Sequence, residues 1–178
     1  MRAVVVYESM YGNTHQVADA IGAGLTPAFE VSVVPVSRAS AAVLDGADLV
    51  VVGGPTHMHG MSRASTRRAA AEAAAKPGSG LTMEPGADGP GLREWFAALG
   101  RYPVTVKAAA FDTRVHGPAA LTGQASKALS RELREHGFLV IAKPESFLVT
   151  GQARLEPHET DLAHAWAAKL AQILVPVA

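Results

Sequence analysis

The sequence predicts an α/β fold in which helices cover both faces of a parallel sheet, and three observations carry that prediction. Short runs of apolar or β-branched residues recur along the chain, they are continuously apolar as strands covered on both faces must be, and amphipathic stretches separate them. Right-handed crossovers between such strands make the sheet doubly wound. With 178 residues and 48% apolar content, the chain is the size of one domain over 1–178 with a substantial core.

Five strands are expected: Ala3 to Tyr7, Val31 to Val36, Ala47 to Gly54, Val104 to Phe111 and Phe138 to Ala142. Between the first two, Val17, Ile21 and Leu25 fall at i, i+4, i+8 behind Thr14, which has the chemistry of an N-cap. A short helix is expected around Ala41 to Leu44. Another begins near Ser62 or Ser65, runs through "TRRAAAEAAA" and stops before Pro77. Lys76 to Gly91, crowded with Gly and Pro, reads as a long surface loop, followed by a helix over Leu92 to Leu99. The next helix starts at Thr122, carries Leu129 and Leu133, and ends where Gly137 can take the left-handed cap. The last opens at Pro157 with Leu162, Trp166, Leu170 and Leu174 on one face.

Composition narrows the chemistry. The chain has no cysteine, which removes disulfides, thiolate nucleophiles and thiolate metal sites, so redox chemistry requires a bound cofactor. Sixteen basic and sixteen acidic residues cancel, which argues against attraction of the whole surface to nucleic acid or anionic lipid. Without a long apolar run or a small-residue cleavage site, no membrane span is expected and the chain reads as cytoplasmic.

The stretch "ESMYGNTHQ", Glu8 to Gln16, follows the first strand and leads into a helix. Such a loop presents unpaired amides and the positive end of a helix dipole, which suits a phosphate. Ser9 and Thr14 add hydroxyls, Gly12 allows close approach, and no Lys or Arg lies between Glu8 and Gln16. A nucleoside-triphosphate loop would carry a lysine here, and a dinucleotide fold G-x-G-x-x-G; neither is present. "SMYGNT", Ser9 to Thr14, resembles the phosphate loop of flavodoxins. With Tyr11 at its third position it is closer to the flavodoxin-like NAD(P)H:quinone oxidoreductases.

That resemblance implies a flavodoxin-like three-layer sandwich with a five-stranded parallel sheet in the order 2-1-3-4-5. It also implies FMN bound non-covalently at the switch point, with its phosphate on Ser9, Met10, Tyr11, Gly12, Asn13 and Thr14. The loop "GGPTHMHG" after the third strand resembles the family's loop beneath the flavin ring, giving Pro55, Thr56, His57, Met58, His59 and Gly60. "FDTRVHGP", Phe111 to Pro118, is the expected third loop, with Asp112, Thr113, Arg114 and His116 on the ring's other side and Phe111 in the core.

Against the one-electron carriers of the family, loops two and three lack the aromatic pair that sandwiches the flavin, and the chain is neutral rather than acidic. Arg63, Arg67, Arg68 and Arg114 are expected near the cofactor mouth; those of "SRASTRR" either solubilise their helix or bind phosphates of a nicotinamide cofactor. The resemblance therefore implies an FMN protein that reduces a quinone or similar acceptor with NAD(P)H. Its alternatives are a one-electron carrier and a flavin-free partner-binding module. Partners are a small-molecule acceptor or a redox protein, with a homo-oligomer open. His57, His59 and His116 have no adjacent carboxylate pattern for a metal, and a Ser-His-Asp hydrolase from Ser9, His116 and Asp112 would lack the G-x-S-x-G elbow. His59 and His116 are candidates for protonating a reduced substrate. His15 and His158 read as surface residues.

Overall fold

The computed structural model describes residues 1–174. Strands β1 (Arg2–Tyr7), β2 (Glu30–Pro35), β3 (Leu49–His57), β5 (Lys107–Val115) and β6 (Leu139–Val140) form a parallel sheet ordered β2-β1-β3-β5-β6. This is the expected 2-1-3-4-5 order. Alternation along β1 sends Val4 and Val6 into one core and Ala3, Val5 and Tyr7 into the other, so both faces of the central strand are fully covered. Helices α1 (Asn13–Leu25) and α7 (Glu159–Leu174) cover one face. The short α2 (Ala41–Leu44), α4 (Leu92–Ala98) and α6 (Ala125–Glu135) cover the other through Leu44, Trp95, Phe96, Leu129 and Leu133. Helix α3 (Ala64–Ala75) lies apart and buries only Arg67 and Ala70.

The expected fifth strand is divided. β6 ends after Val140, and β7 (Glu145–Val149) continues on the same side of β5, Phe111 pairing with Glu145 and Val115 with Val149. Residues 141–144 stand opposite only residues 109 and 110, and Pro144, which has no N–H to give, lies in that bulge. β5 itself starts at Lys107 rather than Val104, because Val106 N–H bonds back to Pro103 and Val104 is turned to solvent. It runs on to Val115, so half of the expected third loop is strand.

β3 likewise runs three residues past Gly54, then folds back through Met58 and His59 onto β4 (Gly60–Met61). Both turn residues have positive φ, 47° and 71°, the geometry of a type I′ hairpin turn. One turn of helix, α5 (Ala119–Thr122), precedes α6, and Gly123 at φ 81° separates them, where a single helix from Thr122 is expected. On α7 the buried face is Ala163, Ala167, Leu170 and Ala171, while Leu162 is exposed. Small residues are used there because α1 comes close: a Cβ on Gly24 would lie 2.4 Å from the His164 carbonyl oxygen.

Candidate functional site

The carboxyl ends of β1, β3, β5 and β7 open on one side, and there they frame a crevice of about 150 Å³. Ser9, Met10, Tyr11, Asn13 and Thr14 form one wall, Pro55, Thr56 and His57 a second, and Thr113, Arg114, Val115, Val149 and Ala153 the rest. Ten of the sequence-predicted residues thus converge.

Within the first loop, Gly12 adopts φ 86° and its N–H donates to Ser9 Oγ at 3.1 Å, which turns the chain into α1. Gly12, not Thr14, is the cap residue. Thr14 lies one residue inside the helix, and its hydroxyl meets that of Thr113 at 2.7 Å, both side chains buried. Two hydroxyls sharing one hydrogen bond keep one hydrogen for a ligand. The amides of Asn13, Thr14 and His15 head the helix and have no i−4 carbonyl. The Asn13 side chain is committed elsewhere: it donates to the Ala153 carbonyl at 2.7 Å and accepts from Leu155 N–H at 3.1 Å, pinning the loop that follows β7. Asn13 therefore offers its main-chain amide, and the Tyr11 hydroxyl is occupied, donating to the Ala70 carbonyl at 2.9 Å.

Beneath this loop lies a buried network with no periodic signal in the sequence. Glu8, 4% exposed, accepts from Ser62 Oγ and from Leu92 N–H. Arg67 Nη1 donates to Ser62 Oγ at 3.1 Å, and Nη2 pairs with Glu94 at 3.1 Å. Gly91 is needed for this approach, since a Cβ there would stand 2.6 Å from both Arg67 Nη1 and Glu8 Oε2. Loop one, loop two and α4 are locked together by these contacts. Arg67, expected at the cofactor mouth, is 3% exposed inside this network, and Arg68 lines no cavity described here. The 76–91 segment is also more than a surface loop, because Glu84 N–H bonds to the Met10 carbonyl at 2.8 Å and Ala87 packs on Met10. His15 lies at the surface as expected, its side chain 41% exposed, and there stacks on Tyr7 at 4.5 Å and meets Glu84 at 2.5 Å. Burial and the nearby Glu84 push the Tyr7 hydroxyl up to about 12.

The other expected residues lie around the crevice rather than in it. Asp112 points to the opposite face of β5, fully buried, where its Oδ2 accepts from Ser126 N–H at 2.7 Å at the start of α6 and its Oδ1 has no partner. Burial raises its carboxyl above the ordinary value. Met58, His59 and Gly60 form the hairpin tip, with Met58 84% exposed. His116 is exposed and pairs with Glu156 at 3.0 Å. His57 lines the crevice half-buried, and desolvation lowers its pKa, which holds it neutral near pH 7. Arg114, its Nη1 held by the Gly117 carbonyl at 2.7 Å and Thr122 Oγ1 at 3.0 Å, is the cation in the crevice wall. Val149 and Ala153 are additions the sequence did not signal, because they depend on β7 and the loop after it. Among the described residues no group of acidic or histidine side chains is arranged to hold a metal ion.

A parallel doubly wound sheet with a hydroxyl-bearing, lysine-free loop at its switch point defines a nucleotide-phosphate-binding protein of flavodoxin type. The flavodoxin family model matches residues 5–100, and the chain belongs to the flavodoxin family, whose members bind FMN. Among solved structures, it is similar to an archaeal flavodoxin (19% identity, TM-score 0.65, covering 98% of this chain and 99% of that one). Flavodoxin 1 of Bacillus cereus (18%, 0.66, 98% and 100%) and a WrbA-like protein of Agrobacterium tumefaciens (18%, 0.60, 97% and 96%) share the fold over comparable lengths. No curated protein matches the sequence.

The crevice fits FMN in its donors. The free amides of Asn13, Thr14 and His15 with the Ser9, Thr14 and Thr113 hydroxyls suit a phosphate, and Pro55 to His57 with Thr113 to Val115 offer a slot for a flat ring.

Proposed function

We propose that the protein is an FMN-dependent reductase that takes a hydride from NAD(P)H and reduces a quinone or similar small acceptor. In balance, NAD(P)H, one proton and a quinone give NAD(P)⁺ and a hydroquinone. Bound FMN supplies the electron storage, and the chain supplies position and electrostatics. One observation carries the reading: the walls contributed by β3, β5 and β7 present Pro, Thr, His, Arg, Val and Ala but no aromatic side chain. A ring face left open on that side is free for a nicotinamide or quinone to stack on.

Arg114 in the wall favours negative charge on the reduced cofactor by Coulomb attraction, strengthened by partial burial. The amides and hydroxyls of the first loop orient the phosphate, and the Glu8 network keeps loops one and two in register around it. Steady-state oxidation of NADH and NADPH by the FMN-loaded protein with a quinone acceptor tests the reading; turnover that depends on added FMN is the expected result.

A second reading, a one-electron carrier docking on a redox partner protein, is favoured by the apolar side chains of Met58 at the hairpin turn and Leu121 on α5, 84% and 72% exposed. It predicts negligible quinone-dependent oxidation of either nicotinamide nucleotide.

A further inference from the structure

Beside the crevice lies another cavity, about 360 Å³, whose lining includes His57, His59, Arg63, Ser65, Thr66 and Arg93. None of its lining residues is acidic, in a chain whose charges otherwise cancel. Neither arginine lies within 4.0 Å of a carboxylate among the described residues. Arg93 is held in place from behind, its Nε donating to the Ser62 carbonyl at 2.8 Å. Arg63 is the N-cap of the twelve-residue α3, and Ser65 and Thr66 belong to that helix's first turn, so the positive end of its dipole adds to the two guanidinium groups. His57 is shared between this cavity and the crevice, which makes the two neighbours.

We propose that this cavity binds a phosphate of the nicotinamide dinucleotide, with Arg63 and Arg93 as its cationic ligands, while the nicotinamide reaches over the hairpin into the crevice. The inference rests on the reductase reading, and it assigns the donor's anionic portion to residues outside the flavin crevice. Two dinucleotide groups share the required chemistry: the pyrophosphate common to both donors, and the 2′-phosphate of the phosphorylated one.

Equilibrium titration of the FMN-loaded protein with NAD⁺ and NADP⁺, which cannot reduce the flavin, tests binding apart from turnover. Arg63→Ala is expected to weaken binding about tenfold, the loss of one charge-assisted contact. Ser65→Glu, which places an acid in the cavity, is expected to weaken it at least as much. FMN affinity should be unchanged in both variants, which confirms that they fold. Loss for both nucleotides assigns the pyrophosphate, and loss for NADP⁺ alone the 2′-phosphate. Failure of the unaltered protein to bind either nucleotide, or unchanged affinities in both variants, overturns the proposal. Binding without flavin reduction by NADH or NADPH would instead overturn the reductase reading and leave the phosphate site standing.

Discussion

At the scale of single residues, the Thr14–Thr113 hydroxyl pair joins stability to the crevice, because both side chains are buried and lie 2.7 Å apart. Thr14→Val leaves the Thr113 hydroxyl unsatisfied, and a buried orphan costs about 1–3 kcal/mol. The variant should lose that much apo-protein stability in urea denaturation and also bind FMN more weakly. Adding Thr113→Val replaces both partners with apolar groups of similar shape, so stability should recover while FMN affinity stays low. Recovery of both would remove the pair from the phosphate site. Asp112 gives a pH signature. Burial raises its carboxyl, so the folded state holds the proton more tightly than the unfolded chain, and stability falls as pH rises between the ordinary and the raised value. Urea midpoints stepped across that window should decline in the unaltered protein and decline less in Asp112→Asn. These roles were only half legible in the sequence. "SMYGNT" displays its hydroxyls and glycine in a row, but what Thr14 faces sits 99 positions away on β5. That Asp112 turns from the crevice depends on β5 continuing as a strand.

At the scale of elements, the β3–β4 hairpin places two non-glycine residues, Met58 and His59, in the left-handed region. Each costs roughly 1 kcal/mol there, and Asn-Gly is the pair such a turn favours. Met58→Asn with His59→Gly should therefore raise stability by about 1 kcal/mol, read from the denaturant midpoint, without altering FMN affinity. The α1–α7 contact predicts the opposite sign. Gly24→Ala gains about 1 kcal/mol of helix propensity but drives a methyl to 2.4 Å from a backbone carbonyl, an overpacking cost of about 1–3 kcal/mol that a helix must move to relieve. A net loss of thermal stability is expected. Elements made of one apolar run, such as β1, were plain from the sequence, because burial on both faces demands such a run. β7 was not, because "ESFLV" is short and begins with an exposed acid. Of the expected α7 face, Trp166, Leu170 and Leu174 do pack on the core and Leu162 does not; the alanines beside them were not legible, because large side chains stand out in a sequence whereas the close helix pair here is built on alanine and glycine.

At the scale of the whole molecule, strand order follows from right-handed crossovers, and the order places loops one, two and three around one crevice. Fold and family membership follow from the chain's general pattern, while the direction of electron flow depends on what the crevice lacks and on which charges stand beside it. On the proposed reductase reading, a neutral molecule with Arg114 in the crevice wall and no aromatic partner from β3, β5 or β7 would stabilise the fully reduced, anionic flavin and so ease the second electron. Stepwise dithionite reduction of the FMN-loaded protein, followed by visible absorbance, tests this most directly. The account predicts that oxidised flavin passes to fully reduced flavin in an essentially two-electron step, with the one-electron-reduced form a minor species throughout. A one-electron-reduced form that is the major species at half-reduction would contradict it and identify a carrier.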